Sequence, residues 1–485
     1  MSKIVPKINE EIRRKTAQRC KERNIIIPTF TELREPETIP DEIKQKLAPV
    51  GLWDVDPLNL FRINWKNNME TGLFGRVNSL EIPSELSGVK ARIIGLVGKY
   101  FPTGSHKVGA AYGCLVPQLV AGDFDPTYHK AVWPSTGNYC RGGAFDCALL
   151  ACDTVAVMPE GMSQERFEWL DNIGAEIIRT PGSESNVKEI YDKCHELSTD
   201  QRNRIFNQFA AYGNPLYNYQ VTGAAAEEVY RNHASEQERL SAFVAAIGSG
   251  GTMAAGDYLK KYHPLMKNVG VEPLECPTLL NNGFGEHRIE GIGDKHVPWL
   301  LNTRNIDVVT AIRDEDCIRL LRLFNEDEGR SVLKEMGIAE SAINRLPLLG
   351  ISSICNLLAA IKTARYFELD ENDIILTIFT DSAELYASRL QGLQSERGAY
   401  NRKDACVDIE GCLTRQTYDN LIELRYWERK RIHNLKYFTW IEQQGMDPEE
   451  LDTQWSHEYW SDLYENEVER VDNLIREFNE LVRSI

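Results

Sequence analysis

The 485-residue chain lacks any apolar run long enough to cross a bilayer. The best, "LLGISSICNLLAAI", is short and broken by Ser, Cys and Asn, so no membrane partner is expected. The first twenty residues, "MSKIVPKINEEIRRKTAQRC", lack the apolar stretch of a secretory signal. Positive charge is not in excess: 72 acidic against 55 basic side chains leave a net charge of −17. That balance argues against nucleic acid or an anionic membrane surface as the main partner. The eleven cysteines are scattered, with no C-x-x-C pair and no zinc-ligand signature. They read as free thiols in a reducing cytoplasm, with no metal site. Internal repeats and low-complexity tracts are also missing.

What remains is ordinary globular composition, 42% apolar and 26% charged, in a chain long enough for about three domain-sized units. The first 75 or so residues are polar and proline-punctuated and read as an arm that wraps the rest. Between about 90 and 390, short β-branched runs alternate with helical stretches: "ARIIGLV", "AVWPS", "TVAVMP", "AEIIRTP", "RIFNQF", "AFVAAIG", "NVGVEP" and "DIILTIFT". Short apolar runs bounded by Gly, Pro or Asp, with helices between them, predict mostly parallel sheets covered by helices, an α/β fold in two layered domains. From about 412, three- and four-residue apolar spacing with dense charge predicts two or more amphipathic helices, a cover or an oligomer contact.

Three loops and one lysine carry chemistry. In "FPTGSHKVGAAYG" (101–113), Lys107 sits among turn residues and small side chains, its nearest charged neighbours apart from His106 being Lys99 and Asp123. It is either a surface lysine that opens a helix or an amine kept partly dry to form an imine with a carbonyl cofactor. In "AFVAAIGSGGTMAAGDYLKKY" (242–262), the turn Gly248–Ser249–Gly250–Gly251–Thr252 follows a strand and opens a helix, which suits a phosphate. A tight turn without ligand is the plain alternative. A dinucleotide fold competes too, since Glu272 lies 22 residues after Gly250, but G-x-G-x-x-G needs glycine where Met253 stands. "PSTGNYCRGGAF" (134–145) offers Ser135, Thr136, Gly137 and Asn138 at a helix start, fit for a carboxylate or a simple cap. "GISSICNLLAAIK" (350–362) is a third such loop, with Ser352 and Ser353.

Taken together and in order, these segments resemble the pyridoxal-phosphate enzymes of the tryptophan synthase β-type fold (fold type II), and are most similar to the cysteine synthase and cystathionine β-synthase branch. The likeness runs collinearly from about Gly88 to Leu390, through "SHKVGAA", "PSTGN", "DNIGAEIIRTPG", "NQFAAYGNPLYNYQVTGAAAEEV", "GSGGT", "GVEP", "HRIEGIGDKHVP", "GISS" and "TIFTDSAELYASRL".

The resemblance implies pyridoxal 5'-phosphate as cofactor, held by Lys107 as an imine, with Lys107 then serving as the base at Cα. It sets the phosphate on Gly248, Ser249, Gly250, Gly251 and Thr252, and Asn138 on the phenolic oxygen. Ser135, Thr136 and Gln208, with Gly137 and Asn138 in the same loop, would orient the substrate carboxylate. Ser352 falls at the pyridine nitrogen, where a neutral hydroxyl favours expulsion of a β-leaving group. The implied activity is β-elimination or β-replacement on a β-substituted L-amino acid through an aminoacrylate. An ammonia-lyase of the same fold, of diaminopropionate or dehydratase type, is the near alternative. A dinucleotide-dependent oxidoreductase or a non-catalytic binding relative is the distant one.

The chain departs from the branch at Tyr139 and Cys140, where small residues are usual, and at Ile354. Tyr139 would place a phenol by the substrate's β-side, while "GNYCRGGAF" leans towards the ammonia-lyase relatives. Cys140 reads as a packing thiol and His106 as structural. The expected organisation is an N-terminal arm (1–80), a large cofactor-binding domain (81–111 and 219–395), a small mobile substrate domain (112–218) and a helical C-terminal extension (396–485). The extension does not match the paired nucleotide-sensing repeats of cystathionine β-synthase. A cytoplasmic homodimer acting on a small amino acid is expected.

Overall fold

The computed structural model describes residues 4–135, 137–182 and 187–485. Its strands are β1 (Ser79–Ile82), β2 (Arg92–Val97), β3 (Lys130–Pro134), β4 (Asp153–Pro159), β5 (Glu176–Thr180), β6 (Asn203–Ile205), β7 (Arg239–Ala246), β8 (Lys267–Pro273), β9 (Val308–Ile312), β10 (Asp373–Phe379) and β11 (Leu421–Glu423). A four-stranded sheet, β5-β4-β3-β6, is parallel throughout. A seven-stranded sheet runs β1-β2-β10-β7-β8-β9-β11, parallel except at its two antiparallel edge strands. This is the α/β fold with parallel-dominated sheets expected from the sequence, followed by a helical C-terminal extension.

Parallel sheets bury both faces under helices, and β10 does so at all seven positions. Because side chains alternate along a strand, its residues divide between two cores. Ile374, Leu376 and Ile378 pack with Ile94, Leu96 and Phe243 beneath the helix Lys107–Ala121. Ile375 and Phe379 pack with Ile93, Val97 and Val244 beneath the helix Ile351–Tyr366. The small sheet repeats the pattern. Ala131, Trp133, Ala156 and Met158 join the first core, whereas Val132, Val155 and Val157 meet Ile190 and Cys194 on the other face. The first core thus lies between the two sheets, with the Lys107 helix in it.

The two chain ends close over this core together. Ile25, Ile27, Phe30 and Leu33 are buried in it, and the Tyr112 hydroxyl of the Lys107 helix donates to the Pro28 carbonyl. Asp472, on the last helix (Glu467–Ser484), accepts from the Phe30 and Thr31 backbone N–H groups at 2.7 and 3.1 Å and from the Thr31 hydroxyl at 2.7 Å. Asn479 pairs with both backbone groups of Ile27. These bonds link residues more than 440 positions apart in sequence.

The middle of the extension is held by a buried cation. Lys436 donates to the Trp299 and Leu301 carbonyls, each at 2.8 Å, and to Gln454 Oε1 at 2.7 Å, so its three ammonium protons are all used. Burial pushes its pKa well below the usual lysine value. One turn earlier, His433 is 2% exposed and its Nε2 meets the Leu451 carbonyl at 2.9 Å. Burial, helped by the charge of Lys436, holds its pKa down to about 3.

A histidine that stays neutral when folded but protonates near 6.5 when unfolded makes stability fall as pH drops through that range. Lowering pH from 7.5 to 5.5 is expected to cost about 1.4 kcal/mol through this one side chain. Urea unfolding at the two pH values, followed by tryptophan fluorescence, should show a pH difference smaller by that amount in His433→Gln. An unchanged difference would mean that His433 is not buried neutral.

Candidate functional site

Lys107 opens its helix at the point where the chain leaves the turn 101–106. The small residues after it have a packing reason: a Cβ at Gly109 would lie 1.9 Å from the Tyr217 ring. The helix is therefore pressed against Tyr217, and its first residue is held near the turn that follows β7. There, Lys107 Nζ is 3.4 Å from the Ser249 hydroxyl, which also receives the Asn214 side-chain amide at 3.0 Å. Gly250 takes φ +81°, the left-handed region that lets the 248–252 turn swing into the helix Met253–Lys260.

His106 stacks on Trp65, with ring centroids 5.4 Å apart, and its Nε2 lies 3.4 Å from the Thr252 hydroxyl. Burial, with the adjacent Lys107 charge, lowers its pKa to about 3. It is neutral at ordinary pH, a packing and hydrogen-bonding ring rather than an acid.

On the opposite side the chain leaves β3 at Ser135. The Ser135 N–H donates to Val157 O at 3.1 Å, and its hydroxyl accepts the Gly137 N–H at 3.2 Å. Asn138 then begins the helix Asn138–Leu149. Thr136 lies outside the described residues. Gln208, on the loop after β6, has its backbone carbonyl held by Asn214 at 2.9 Å.

One cavity brings together Lys107, Ser135, Asn138, Tyr139, Gln208 and Thr252. Gly137, Gly248, Ser249, Gly250 and Gly251 are not among its lining residues, although Ser249 meets Lys107 just behind it. Ser352 is buried at the start of the helix Ile351–Tyr366 but does not line the cavity either. The same helix presents Asn356 there, one turn further on, and the end of β10 adds Thr380. Both escaped the reading of the sequence, although a four-residue step from Ser352 on a helix points to Asn356.

Asn138 is gripped from outside the cavity. Its Nδ2 donates to Asp381 Oδ2 at 2.6 Å, and the same oxygen accepts the Tyr386 hydroxyl at 2.9 Å. Arg166, from the helix between β4 and β5, stands 4.0 Å from Asp381, 3.1 Å from the Tyr386 hydroxyl and 3.4 Å from Glu290. Glu290 in turn meets Arg389 at 2.7 Å. Burial pushes the Asp381 pKa up, opposed by Arg166 and by the Asn138 and Tyr386 hydrogen bonds. The Asp381 backbone carbonyl also accepts the Gly350 N–H at 2.9 Å, so one residue fixes both Asn138 and the start of the Asn356 helix.

Tyr139 packs edge-on to Trp133, centroids 5.3 Å apart, with 1% exposure. Cys140 Sγ lies 2.9 Å from the Gly137 carbonyl, and burial raises its thiol to about 12, far from a reactive thiolate. Arg141 turns away from the cavity, donating to Thr103 O at 2.9 Å with its guanidinium 4.8 Å over the Trp169 ring.

The family model described as "Pyridoxal-phosphate dependent enzyme" matches residues 99–381. A cysteine synthase of Staphylococcus aureus is 33% identical over 258 residues, 53% of this chain and 75% of that protein. Among solved structures, an O-acetylserine dependent cystathionine beta-synthase from Helicobacter pylori is similar, with 28% identity and a TM-score of 0.52 over 65% of this chain and 95% of that one. A hydrogen sulfide-producing enzyme from Fusobacterium nucleatum shares the fold, with 24% identity and a TM-score of 0.54 over 64% and 97%.

The residues present fit pyridoxal phosphate. The cavity holds a lysine amine, and the backbone N–H groups of the 248–252 turn lie beside it at a helix start. Two buried amide oxygens, Asn138 Oδ1 and Asn356 Oδ1, have no hydrogen-bond partner among the described residues, although the Nδ2 of each is engaged. Unpaired buried acceptors are costly, and a bound group that brings a donor, such as a hydroxyl or a substrate ammonium, would relieve that cost.

Removing the Asp381 carboxylate should free Asn138. A hydrogen bond to a charged group is worth roughly 1.5–3 kcal/mol, so Asp381→Ala is expected to weaken cofactor binding about tenfold to a hundredfold. Spectrophotometric titration of the apo-protein with pyridoxal phosphate measures it, and Tyr386→Phe should cost less. Unchanged affinity in an Asp381→Ala protein of native circular dichroism would contradict this anchoring.

Proposed function

The chain belongs to the pyridoxal-phosphate dependent enzymes, and from that premise we propose that it catalyses β-elimination or β-replacement on a β-substituted L-amino acid. The observation that carries this is the convergence on one cavity of the Lys107 amine with Ser135, Asn138, Gln208 and Thr252, beside a helix start whose side chains are neutral. When bound, the cofactor supplies an electron sink for negative charge developing at Cα.

The protein's own groups then have distinct tasks. Lys107 holds the cofactor covalently and, once displaced by the substrate amine, takes the proton from Cα. Ser135 and Gln208, with Thr136, bind and orient the substrate carboxylate. Asn138, set by Asp381, fixes the tilt of the cofactor ring. The 248–252 turn takes the phosphate through backbone N–H groups and the Ser249 and Thr252 hydroxyls. Ser352 would stand at the ring nitrogen, and neither its hydroxyl nor the Asn356 amide one turn on would hold a proton there as a carboxylate would. Charge is then relieved by loss of the β-substituent rather than by a long-lived carbanion.

The names of similar proteins support this reading, since they include a cysteine synthase and an O-acetylserine dependent cystathionine beta-synthase. Of the two residues behind the ammonia-lyase alternative, Arg141 faces Thr103 and Trp169, whereas Tyr139 lines the cavity. Tyr139 is the residue to which we assign substrate selection, as it lines the cavity next to Asn138. The working form we propose is a cytoplasmic homodimer in which the segment 112–218 moves over the bound amino acid.

Release of keto acid and ammonia, and addition of sulfide, should be assayed with O-acetyl-L-serine, L-cysteine and L-serine. At least one is expected to turn over, with L-alanine inert and O-acetyl-L-serine poor in the wild type. Tyr139→Thr should raise the preference for O-acetyl-L-serine by about 10–200-fold, the range for a changed pocket contact. Failure of every β-substituted alanine in a cofactor-loaded protein would overturn the proposal. Efficient wild-type use of O-acetyl-L-serine would remove Tyr139 from its role.

A further inference from the structure

Where the C-terminal extension packs on the 99–381 segment that matches the family, the two enclose a second pocket that shares no lining residue with the catalytic cavity. Its volume is about 300 Å³, at the low end of the roughly 300–1,000 Å³ of small-molecule sites. One wall is the far end of the helix Met253–Lys260, some 12 Å along the axis from Thr252 by helix rise. The opposite wall is the segment 456–465.

The inner end of this pocket is rich in acceptors. The Asp257 carboxylate takes the Asn302 amide at 3.0 Å, the Tyr464 hydroxyl at 3.3 Å and the Asn305 amide. Even with these donors, burial raises its pKa to about 6. Asn302 Oδ1 is buried and has no donor among the described residues. Aromatic faces enclose the same end: Trp460 and Tyr464 are each 3% exposed, and Tyr219 stacks on Tyr464 at 4.3 Å and 10°. Acceptors, a carboxylate that burial leaves undercompensated and ring faces together favour an ammonium group.

The mouth has the opposite character. Arg304 is exposed, with one guanidinium nitrogen on the Trp455 carbonyl, and Lys261 pairs with Glu465 at 2.7 Å. Lys260, paired with Asp307 at 2.5 Å, also lies there, and Arg304 is the cation of the mouth with no carboxylate partner among the described residues. Arg304 disfavours a simple cation at the mouth, and the acceptor-rich end disfavours a simple anion. A ligand with both charges one carbon apart satisfies the two ends at once.

We propose that this pocket binds a free α-amino acid, its ammonium against Asp257 and Asn302 and its carboxylate towards Arg304 and Lys261. The helix Met253–Lys260 then carries the cofactor turn at one end and an amino-acid site at the other, and the extension supplies the wall, residues 456–465, that encloses the second site.

Calorimetric titration of the cofactor-loaded full chain with each standard L-amino acid tests this, using a Ser135→Ala background to weaken binding in the catalytic cavity. At least one amino acid is expected to bind with unchanged affinity in that background. It should lose tenfold or more in Arg304→Ala and in Lys261→Ala, both surface changes that leave the fold intact. Propionate and propylamine, with one charge each, should not compete. Absence of any such binding, or binding abolished by Ser135→Ala and indifferent to Arg304→Ala, would overturn the proposal. The readout is binding alone, so its failure leaves the reaction class untouched.

Discussion

A carboxylate without access to water must be compensated by its neighbours, and Asp381 is compensated by the groups that the site needs held still. Its side chain takes the Asn138 amide and the Tyr386 hydroxyl, and its carbonyl takes the Gly350 N–H. Through Arg166 and Glu290 the compensation extends to Arg389. Asn138 and Arg166 belong to the segments around the small sheet, whereas Asp381, Tyr386 and Glu290 belong to the large one. The same charge network therefore sets the cavity's shape and ties the two sheets together. An apolar replacement of similar volume could be as stable, but it would leave Asn138 without direction.

The chain ends follow the same logic of buried polar groups matched one by one. Asp472 meets the first two backbone N–H groups of the helix that Phe30 opens, and Lys436 spends three protons on three oxygens. The Asp472 contacts join the extension to the arm, the Tyr112–Pro28 bond joins the arm to the Lys107 helix, and Lys436 joins the extension to the 297–301 segment. The pH dependence through His433 belongs to this cover, and the neutrality of His106 belongs to the site.

Much of this was legible in the residues. Each of the eight apolar runs quoted above meets a strand, although only Arg204 and Ile205 of "RIFNQF" belong to β6, because a short β-branched run closed by Gly, Pro or Asp has few other outcomes. β9 and the edge strands β1 and β11 escaped. "VVTAI" alone does not distinguish a strand from one turn of a buried helix, and β11 is only three residues long. At the site, Lys107, Ser135, Asn138, Tyr139, Gln208 and Thr252 could be named because each sits on a loop with turn and cap chemistry. Asn356, Thr380 and Asp381 could not, since they occupy a helix interior and a strand end, where polar residues usually satisfy the backbone. The helix start shows the limit of loop chemistry as a guide: Ser352 is buried there, and the residue one turn later, Asn356, lines the cavity.

The account stands or falls on which amine carries the cofactor. Borohydride reduction of the purified protein, followed by peptide mapping, reads this directly. The pyridoxyl label is expected on Lys107 and to disappear in Lys107→Ala, along with the visible absorbance of the native protein. A label on Lys99 or Lys130, or one that survives Lys107→Ala, would contradict it.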